Sequence, residues 1–380
     1  HLRPDLVCRP KNRWYTLYPR HQPRFTRVAL SFPMKTEKSV IRWGILGCGN
    51  VAEVKSGPAF QKTPHSQLVA VMRRQGDLAQ QFAQRHGVPR WYDNAEALIH
   101  DPEVDAVYIA TPVDNHANLA LQVAKANKPA YVEKPMARHF PECQAMLEAF
   151  THARLPLFVA YYRRKLPRFL TVAALLEQGA LGTITAIRYH YGSASHRKPL
   201  SPLPWRLDAA RAGAGLFLDL GCHVLDILDF LLGPVHHIQG SAYNVASTYD
   251  VEDVVLMTFQ VGKAIPGVAS WNFAQQQHED CLDIEGTDGH LRLSVFGDSP
   301  IRLTRGKEHR DLRIANPPHI QQPLIESIVD DLLGRGTCPS TGTTAARTSL
   351  VMDTVLDGYY GGRQDRFWER PESWPGRRTW

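Results

Sequence analysis

SVIRWGILGCGNVA, residues 39–52, joins an apolar run of strand character to the glycine turn Gly47-Cys48-Gly49-Asn50-Val51-Ala52, a G-x-G-x-x-A pattern that leads into a helix-compatible stretch. In such a turn the first glycine permits the tight bend and the second lets backbone approach a pyrophosphate. The small third residue lets helix and strand pack closely, and the helix N-terminus offers N–H groups to the anion. The string alone is weak, since an ordinary glycine turn looks the same, and its context gives it meaning. Gln67–Met72 reads as a second strand, Asp105–Ala110 as a third, Ala130–Glu133 as a fourth and Pro156–Ala160 as a fifth. Helical segments at Gly76–His86, His116–Asn127 and Pro141–Ala153 lie between them. Strand and helix alternating at this spacing predict right-handed crossovers and a parallel sheet covered on both faces.

The rhythm changes after about residue 160. A helix at Pro167–Gln178 leads to a strand at Thr183–Tyr191, a Pro- and Ser-rich loop over residues 192–206, and a helix at about Asp219–Leu232. Strands then follow one another at His236–Val245, Val254–Val261, Gly267–Phe273, Cys281–Gly286 and His290–Val295, which predicts a largely antiparallel sheet. Helices at Leu324–Leu333 and Ala345–Tyr359 close the body. The predicted class is α/β: a doubly wound parallel Rossmann sheet over residues 34–160, then an α+β domain over 161–360 with a large, mostly antiparallel, open-faced sheet. Residues 1–33 read as an unstructured extension ahead of a native start at Met34, and residues 361–380 as a polar tail.

The net charge of +7 suggests nucleic acid until it is located. Residues 1–33 carry seven Arg/Lys and one Asp, and residues 361–380 five Arg and three acids, so residues 34–360 stand at −1. A nearly neutral body gives no support to a nucleic-acid groove. No apolar run approaches the roughly 20 residues that cross a bilayer. The six cysteines, Cys8, Cys48, Cys143, Cys222, Cys281 and Cys338, show no paired spacing, which fits a reducing cytoplasm. A metal site from Cys222, His223 and Asp226 lacks ligand spacing on one helix face, so no metal is expected.

The cofactor is read at the end of the second strand. NAD would be gripped there by an acid on its ribose hydroxyls, yet the chain runs Met72-Arg73-Arg74 with no acid before Asp77. Two guanidiniums match a 2′-phosphate in charge and geometry, so NADP is expected, with NAD as the alternative.

Three further motifs carry chemistry. Glu133-Lys134-Pro135 follows the fourth strand; Ala110-Thr111-Pro112 ends the third, with His116 four residues on; Asp219-Leu220-Gly221-Cys222-His223 opens a helix behind Gly213-Ala214-Gly215. Strand C-termini are where a doubly wound sheet binds ligands, so Lys134 and Thr111 should face the cofactor crevice. Asp219 and His223, four apart on a helix, would share a face. A lysine there can stabilise charge on the reacting oxygen, and a histidine can exchange the hydroxyl proton. The blander readings are a helix cap for Asp219, a surface cation for Lys134 and a core histidine for His223.

From about Ile41 to Tyr360 the chain resembles the glucose–fructose oxidoreductase / inositol dehydrogenase / rhizopine catabolism (Gfo/Idh/MocA) family. The resemblance implies proton handling and polarisation by Lys134 and His223, with Asp219 holding the lysine or a substrate hydroxyl. It implies cofactor contacts from Gly47, Cys48, Gly49, Asn50, Val51, Thr111, Pro112, His116, Glu133, Lys134, Trp205 and Arg206. Tyr162, Arg163, Arg206, Asp219 and His223 would meet the substrate, although an interdomain salt link explains Arg206 as well. It further implies a cis Lys134–Pro135 bond. Leu78 stands where some NADP-using relatives carry arginine, which leaves the 2′-phosphate to Arg73 and Arg74.

The function expected is reversible oxidation of a secondary hydroxyl on a small carbohydrate-like substrate: a sugar, polyol or cyclic diol. A non-catalytic NADP-binding regulator and a redox-cycling NAD-dependent glycosidase are the alternatives. Apolar residues on both faces of Val254-Val255-Leu256-Met257-Thr258-Phe259 point to a homodimer or homotetramer formed through the open sheet.

Overall fold

The computed structural model describes residues 38–194 and 201–378; the readings of residues 1–33 and of Met34 fall outside them. Its first half runs β1 (Ile41–Leu46), α1 (Gly57–Lys62), β2 (Ser66–Met72), α2 (Gly76–His86), β3 (Arg90–Tyr92), α3 (Ala95–His100), β4 (Ala106–Ile109), α4 (His116–Lys125), β5 (Ala130–Val132), α5 (Phe140–Ala153) and β6 (Leu157–Val159). The six strands form one parallel sheet in the order β3-β2-β1-β4-β5-β6. Its order reverses beside β1, where a doubly wound sheet opens its ligand crevice. Both faces are covered, and accordingly β4 is buried at every position. On one face Trp43, Phe60, Tyr108 and Tyr131 pack ring against ring. The α2 helix stops where expected, with Gly87 in the left-handed region at φ 65°.

The second half continues α6 (Pro167–Glu177), β7 (Ile184–Gly192), α7 (Ala209–Ala212), α8 (Cys222–Leu232), β8 (Val235–Tyr243), β9 (Val254–Val261), β10 (Ile265–Asn272), β11 (Glu279–Gly286), β12 (His290–Leu293), β13 (Ile301–Arg305), β14 (Glu308–Leu312), α9 (Gln322–Leu332) and α10 (Gly342–Tyr360). Eight strands form the second sheet in the order β14-β13-β12-β11-β7-β10-β9-β8, antiparallel except for the β7–β10 pair. Val255, Met257, Phe259 and Val261 turn one face of β9 inward, and α8 and α10 pack on this side of the molecule. On the other face Leu256, Val268 and Tyr243 are nearly half exposed.

Several elements differ from the sequence reading. The short β3–α3 unit was missed because three residues, Arg90–Tyr92, carry too little pattern. The β13–β14 hairpin was missed because β14 is exposed and polar, as befits a sheet edge. The helix expected at Leu324–Leu333 forms as α9, but it belongs with the parallel sheet. Its Leu324, Ile325, Ile328, Val329 and Leu332 share a core with Ile41, Trp43 and Ile45.

Residues 361–378 are no polar tail. Arg363, Phe367 and Trp374 are buried. The Arg363 guanidinium donates to Asp353 Oδ1 at 2.8 Å, to the Gly213 carbonyl at 2.9 Å and to the Arg138 carbonyl at 2.7 Å. Composition suggested a solvated end, whereas Phe367 and Trp374 pack on Tyr360 and Arg363 is buried with them, leaving Arg366, Arg370 and Arg378 exposed.

Candidate active site

The glycine turn lies between β1 and the helix leading to α1. Gly47 takes φ 93°, and a Cβ there would stand 2.9 Å from the backbone of Ala110 and Thr111, so only glycine lets the turn lie against the end of β4. Gly47 N–H donates to the Met72 carbonyl at 2.9 Å, which pins the turn to the end of β2. Gly49 has open space where its side chain would be, and the exposed Asn50 and half-buried Val51 begin the helix beside it. A backbone cradle open at the second glycine fits a pyrophosphate. Thr111, at the neighbouring strand end, has a buried Oγ1 with no hydrogen-bond partner among the described residues. Cys48 is buried beneath the turn, and burial pushes its thiol up to about 11.

At the end of β5 the Glu133 carboxylate is fully engaged. Its Oε1 accepts from Tyr108 Oη at 2.6 Å and Gln321 Nε2 at 2.7 Å, and its Oε2 from Lys134 N–H at 3.1 Å. Gln321 also accepts from Tyr131 Oη at 3.0 Å. No motif marks Gln321 or Tyr108, which reach Glu133 only through the fold. The Lys134–Pro135 bond is cis.

Lys134 Nζ donates to Asp219 Oδ1 at 2.6 Å and to the Asp219 carbonyl at 3.0 Å. Burial opposes the ammonium, but the Asp219 charge outweighs it and pushes Lys134 up to about 12. The carboxyl of Asp219 is in turn held below its usual range: burial works against this, and Lys134 and Arg206 override it. Arg206 Nε stands 3.2 Å from Asp219 Oδ2, with its guanidinium 4.5 Å over the Trp205 ring. Thus Lys134, Asp219 and Arg206 form one ion-paired group, with the Trp205 ring stacked against the arginine.

His223 belongs to a second group. Its ring is buried between Tyr161, Tyr162 and Phe296, at centroid distances of 6.0, 5.6 and 5.9 Å. Nδ1 has no hydrogen-bond partner among the described residues. Burial, and then the positive charges of Arg163, Lys134 and Lys55, push His223 well below its ordinary value of 6.5. The expected shared helical face of Asp219 and His223 takes a different form. Phe217–Gly221 is a π-helical turn ahead of α8, so a four-residue spacing no longer stacks one side chain over the other. Asp219 turns to Lys134 and Arg206, and His223 to the aromatic rings.

His116 is placed differently from a cofactor ligand. It is fully buried, with Nδ1 3.1 Å from the Pro135 carbonyl and Nε2 2.9 Å from the Thr111 carbonyl, so both ring nitrogens face backbone. It braces the ends of β4 and β5 against each other, and its neighbour Pro112 begins the turn that leads to it. Arg73 and Arg74 lie at the end of β2, half-buried and exposed respectively, with no ion-pair partner among the described residues. Gly213, at φ 90°, passes so close to Arg138 that a Cβ would meet its carbonyl oxygen at 2.3 Å, which explains the glycine ahead of Asp219.

The same architecture is found in known proteins. Residues 41–161 match the family described as "Oxidoreductase family, NAD-binding Rossmann fold", and residues 169–292 match the "GFO/IDH/MocA C-terminal domain". The chain belongs to the GFO/IDH/MocA oxidoreductases. It is 38% identical to "Oxidoreductase P35" of Formosa agariphila, over 83% of this chain and 98% of that protein. It is 29% identical to the trans-1,2-dihydrobenzene-1,2-diol dehydrogenase of Danio rerio, over 76% of this chain and 84% of that protein. A solved levoglucosan dehydrogenase in complex with NADH and levoglucosan shares the fold, with a TM-score of 0.75, 22% identity and coverage of 83% of this chain and 96% of that one. As a GFO/IDH/MocA member the chain has an NAD-binding Rossmann fold.

Proposed function

We propose that the chain is a dehydrogenase that moves a hydride between NADP and a secondary alcohol carbon of a sugar, polyol or cyclic diol. The observation that carries this reading is the Lys134–Asp219 pair at the end of β5, 2.6 Å apart, with a buried His223 held neutral beside it. The named substrates of the relatives, a cyclic diol and an anhydrosugar, support the substrate class. A bound nicotinamide would accept the hydride from the carbinol carbon or return it. The Gly47–Ala52 turn would hold the cofactor's pyrophosphate, and Thr111 and Glu133 line the strand ends next to it. Lys134, kept protonated by Asp219, donates to the substrate oxygen and stabilises its negative charge. His223 takes the hydroxyl proton in oxidation and gives it back in reduction. Tyr162, Arg163 and Arg206 bound the substrate side. A substrate panel of sugars, sugar acids, polyols and cyclic diols, read at the nicotinamide absorbance, tests the proposal; no oxidation of any member would refute it.

The pH profile follows from the two shifts. His223 stays neutral, and able to accept a proton, down to a pH below 6.5, while Lys134 stays protonated to about 12. Oxidation measured as kcat/KM is therefore expected to be level from pH 7 to pH 10 and to fall only below about 6.5. Asp219→Asn removes the charge that outweighs burial at Lys134, so an alkaline limb should move down into the measurable range. An acid limb centred above pH 7 in the parent enzyme would contradict the assignment of His223.

NADP is favoured over NAD by Arg73 and Arg74, two guanidiniums without an ion partner among the described residues where NAD would need an acid. Because the solved relative holds NADH, the decisive quantity is the ratio. Replacing both arginines with glutamine should lower the NADP/NAD preference by about 10- to 100-fold, as lost charge-assisted phosphate contacts do. An unchanged ratio would return the assignment to NAD.

The open face of the second sheet is assigned to self-association as a homodimer or homotetramer. Leu256, Val268 and Tyr243 lie exposed on it, and its charges, such as Arg188 with Glu285, are already matched. Light scattering at micromolar concentration should give a multiple of 42.8 kDa, and charged replacements at Leu256 and Val268 should reduce it to one chain.

A further inference from the structure

Arg163 and Arg164 are adjacent in sequence and differ in one respect that bears on the substrate. Both are buried, at 6% and 3% exposure. Arg164 is answered by two carboxylates, with Nη2 2.7 Å from Asp226 Oδ1 and 3.0 Å from Asp229 Oδ1. Arg163 has no carboxylate within ion-pair distance among the described residues. Its Nε donates to the Val295 carbonyl at 3.1 Å, while Nη1 is buried with no partner. Asp280, the acid on the neighbouring β11, makes no ion pair with Arg163 among the described residues. Its two oxygens accept from the backbone N–H groups of Val295, Phe296 and Gly297 and from Tyr189 Oη.

The unanswered guanidinium lies beside the candidate base. Its carbon stands 5.0 Å from the Tyr162 ring centroid and 4.6 Å from that of Phe296, and the same two rings flank His223. A guanidinium taken out of water without a counter-ion is strongly unfavourable, so such a group marks a place where an anion binds. With Nη1 unpartnered and no acceptor on Nη2 among the described residues, the terminal nitrogens offer the parallel fork that pairs with a carboxylate. The pyrophosphate of the cofactor is assigned instead to the Gly47–Ala52 turn, so it is not the anion that Arg163 awaits.

We propose that the substrate of this enzyme carries a carboxylate received by Arg163, which makes it a sugar acid, a uronate or aldonate, rather than a neutral sugar or polyol. The inference rests on the dehydrogenase reading of the crevice and narrows its substrate class. The carboxylate docks between Tyr162 and Phe296 and presents a neighbouring hydroxyl to His223 and Lys134. Arg163 is then the residue that separates acids from their neutral counterparts.

The test uses the full chain loaded with NADPH and two matched pairs, D-glucuronate with D-glucose and D-gluconate with D-glucitol, with binding read by calorimetry. The acid of at least one pair should bind about 10- to 100-fold more tightly than its neutral partner, the range of a charge-assisted hydrogen-bonded contact. In Arg163→Met this ratio should fall to near one, and in Arg163→Lys, which keeps the charge and loses the fork, to an intermediate value. Equal binding of acid and neutral partner in both pairs overturns the proposal on the parent protein alone, whether or not the methionine variant folds. Weakening of NADPH itself by Arg163→Met, to the same extent as the acid, also overturns it, because the counter-ion would then belong to the cofactor. Turnover is scored separately. Tight acid binding without hydride transfer supports the carboxylate site and defeats the dehydrogenase reading, whereas hydride transfer with no preference for the acid defeats only the carboxylate site.

Discussion

Lys134→Met is expected to lower kcat/KM by about 10²- to 10⁴-fold, and His223→Ala by a similar factor, as the loss of a positioned proton donor or acceptor does. The two losses have different origins. Without Lys134 the substrate oxygen has no cation to answer its developing charge, while Asp219 keeps Arg206 at 3.2 Å and the site retains an ion pair. Without His223 the hydroxyl proton has no neutral acceptor in an otherwise positive neighbourhood of Arg163, Lys134 and Lys55. Cofactor affinity separates the two as well. The glycine turn that would hold the pyrophosphate follows β1, whereas His223 lies in the first turn of α8, in the second half of the chain. NADPH titrated by fluorescence should therefore bind His223→Ala with a dissociation constant close to that of the parent, and Lys134→Met with a modest loss. Full turnover in His223→Ala with a confirmed substrate would remove the histidine from the mechanism. A parent protein that binds NADPH and turns over nothing would favour the regulator alternative.

The second large effect lies away from the chemistry. Arg363→Met is expected to destabilise the fold by on the order of 3–5 kcal/mol, the range seen when one partner of a buried ion pair is removed. Arg363 is 1% exposed and pairs with Asp353 at 2.8 Å. Its remaining nitrogens satisfy the Gly213 and Arg138 carbonyls, and its guanidinium lies 5.0 Å over Tyr360 and 4.6 Å over Phe367. Methionine fills much of the volume but leaves two carbonyls and one carboxylate oxygen without donors. Because Gly213 precedes the turn that carries Asp219, part of the loss should appear as a lower kcat in the folded fraction. Thermal denaturation measures the first effect and steady-state rates the second. A melting temperature equal to that of the parent would mean that the C-terminal segment contributes nothing to the body it covers.

What the sequence alone determined about this protein is whatever is encoded within a few neighbouring residues. The apolar run ending at Gly47 and the alternation of strands and helices led directly to a parallel sheet, which the structure has in six strands. The succession of strands after residue 232 led to the antiparallel sheet. Lys134, Asp219 and His223 were singled out because their chemistry and local setting are visible in short motifs, and Lys134 and Asp219 indeed meet across 85 positions of sequence.

How tasks are divided among these groups became visible in the folded chain alone. Protonation depends on burial and on charges brought from distant segments, so nothing in the Glu133-Lys134-Pro135 string could say that Asp219 keeps the lysine charged. Nor could it say that Phe296 and Tyr161 keep His223 in an apolar cage. The same reason turned His116 from a predicted cofactor contact into an internal brace: its two carbonyl partners become neighbours only when β4 and β5 align. It also turned a polar tail into a buried clamp, and moved α9 onto the first sheet, since an amphipathic stripe states that a helix is covered and not by what. Arg163 shows the limit most clearly. The resemblance sets Arg163 and not Arg164 at the substrate, but only the fold gives the physical difference, by sending Asp226 and Asp229 to Arg164 and, among the described residues, no carboxylate to Arg163.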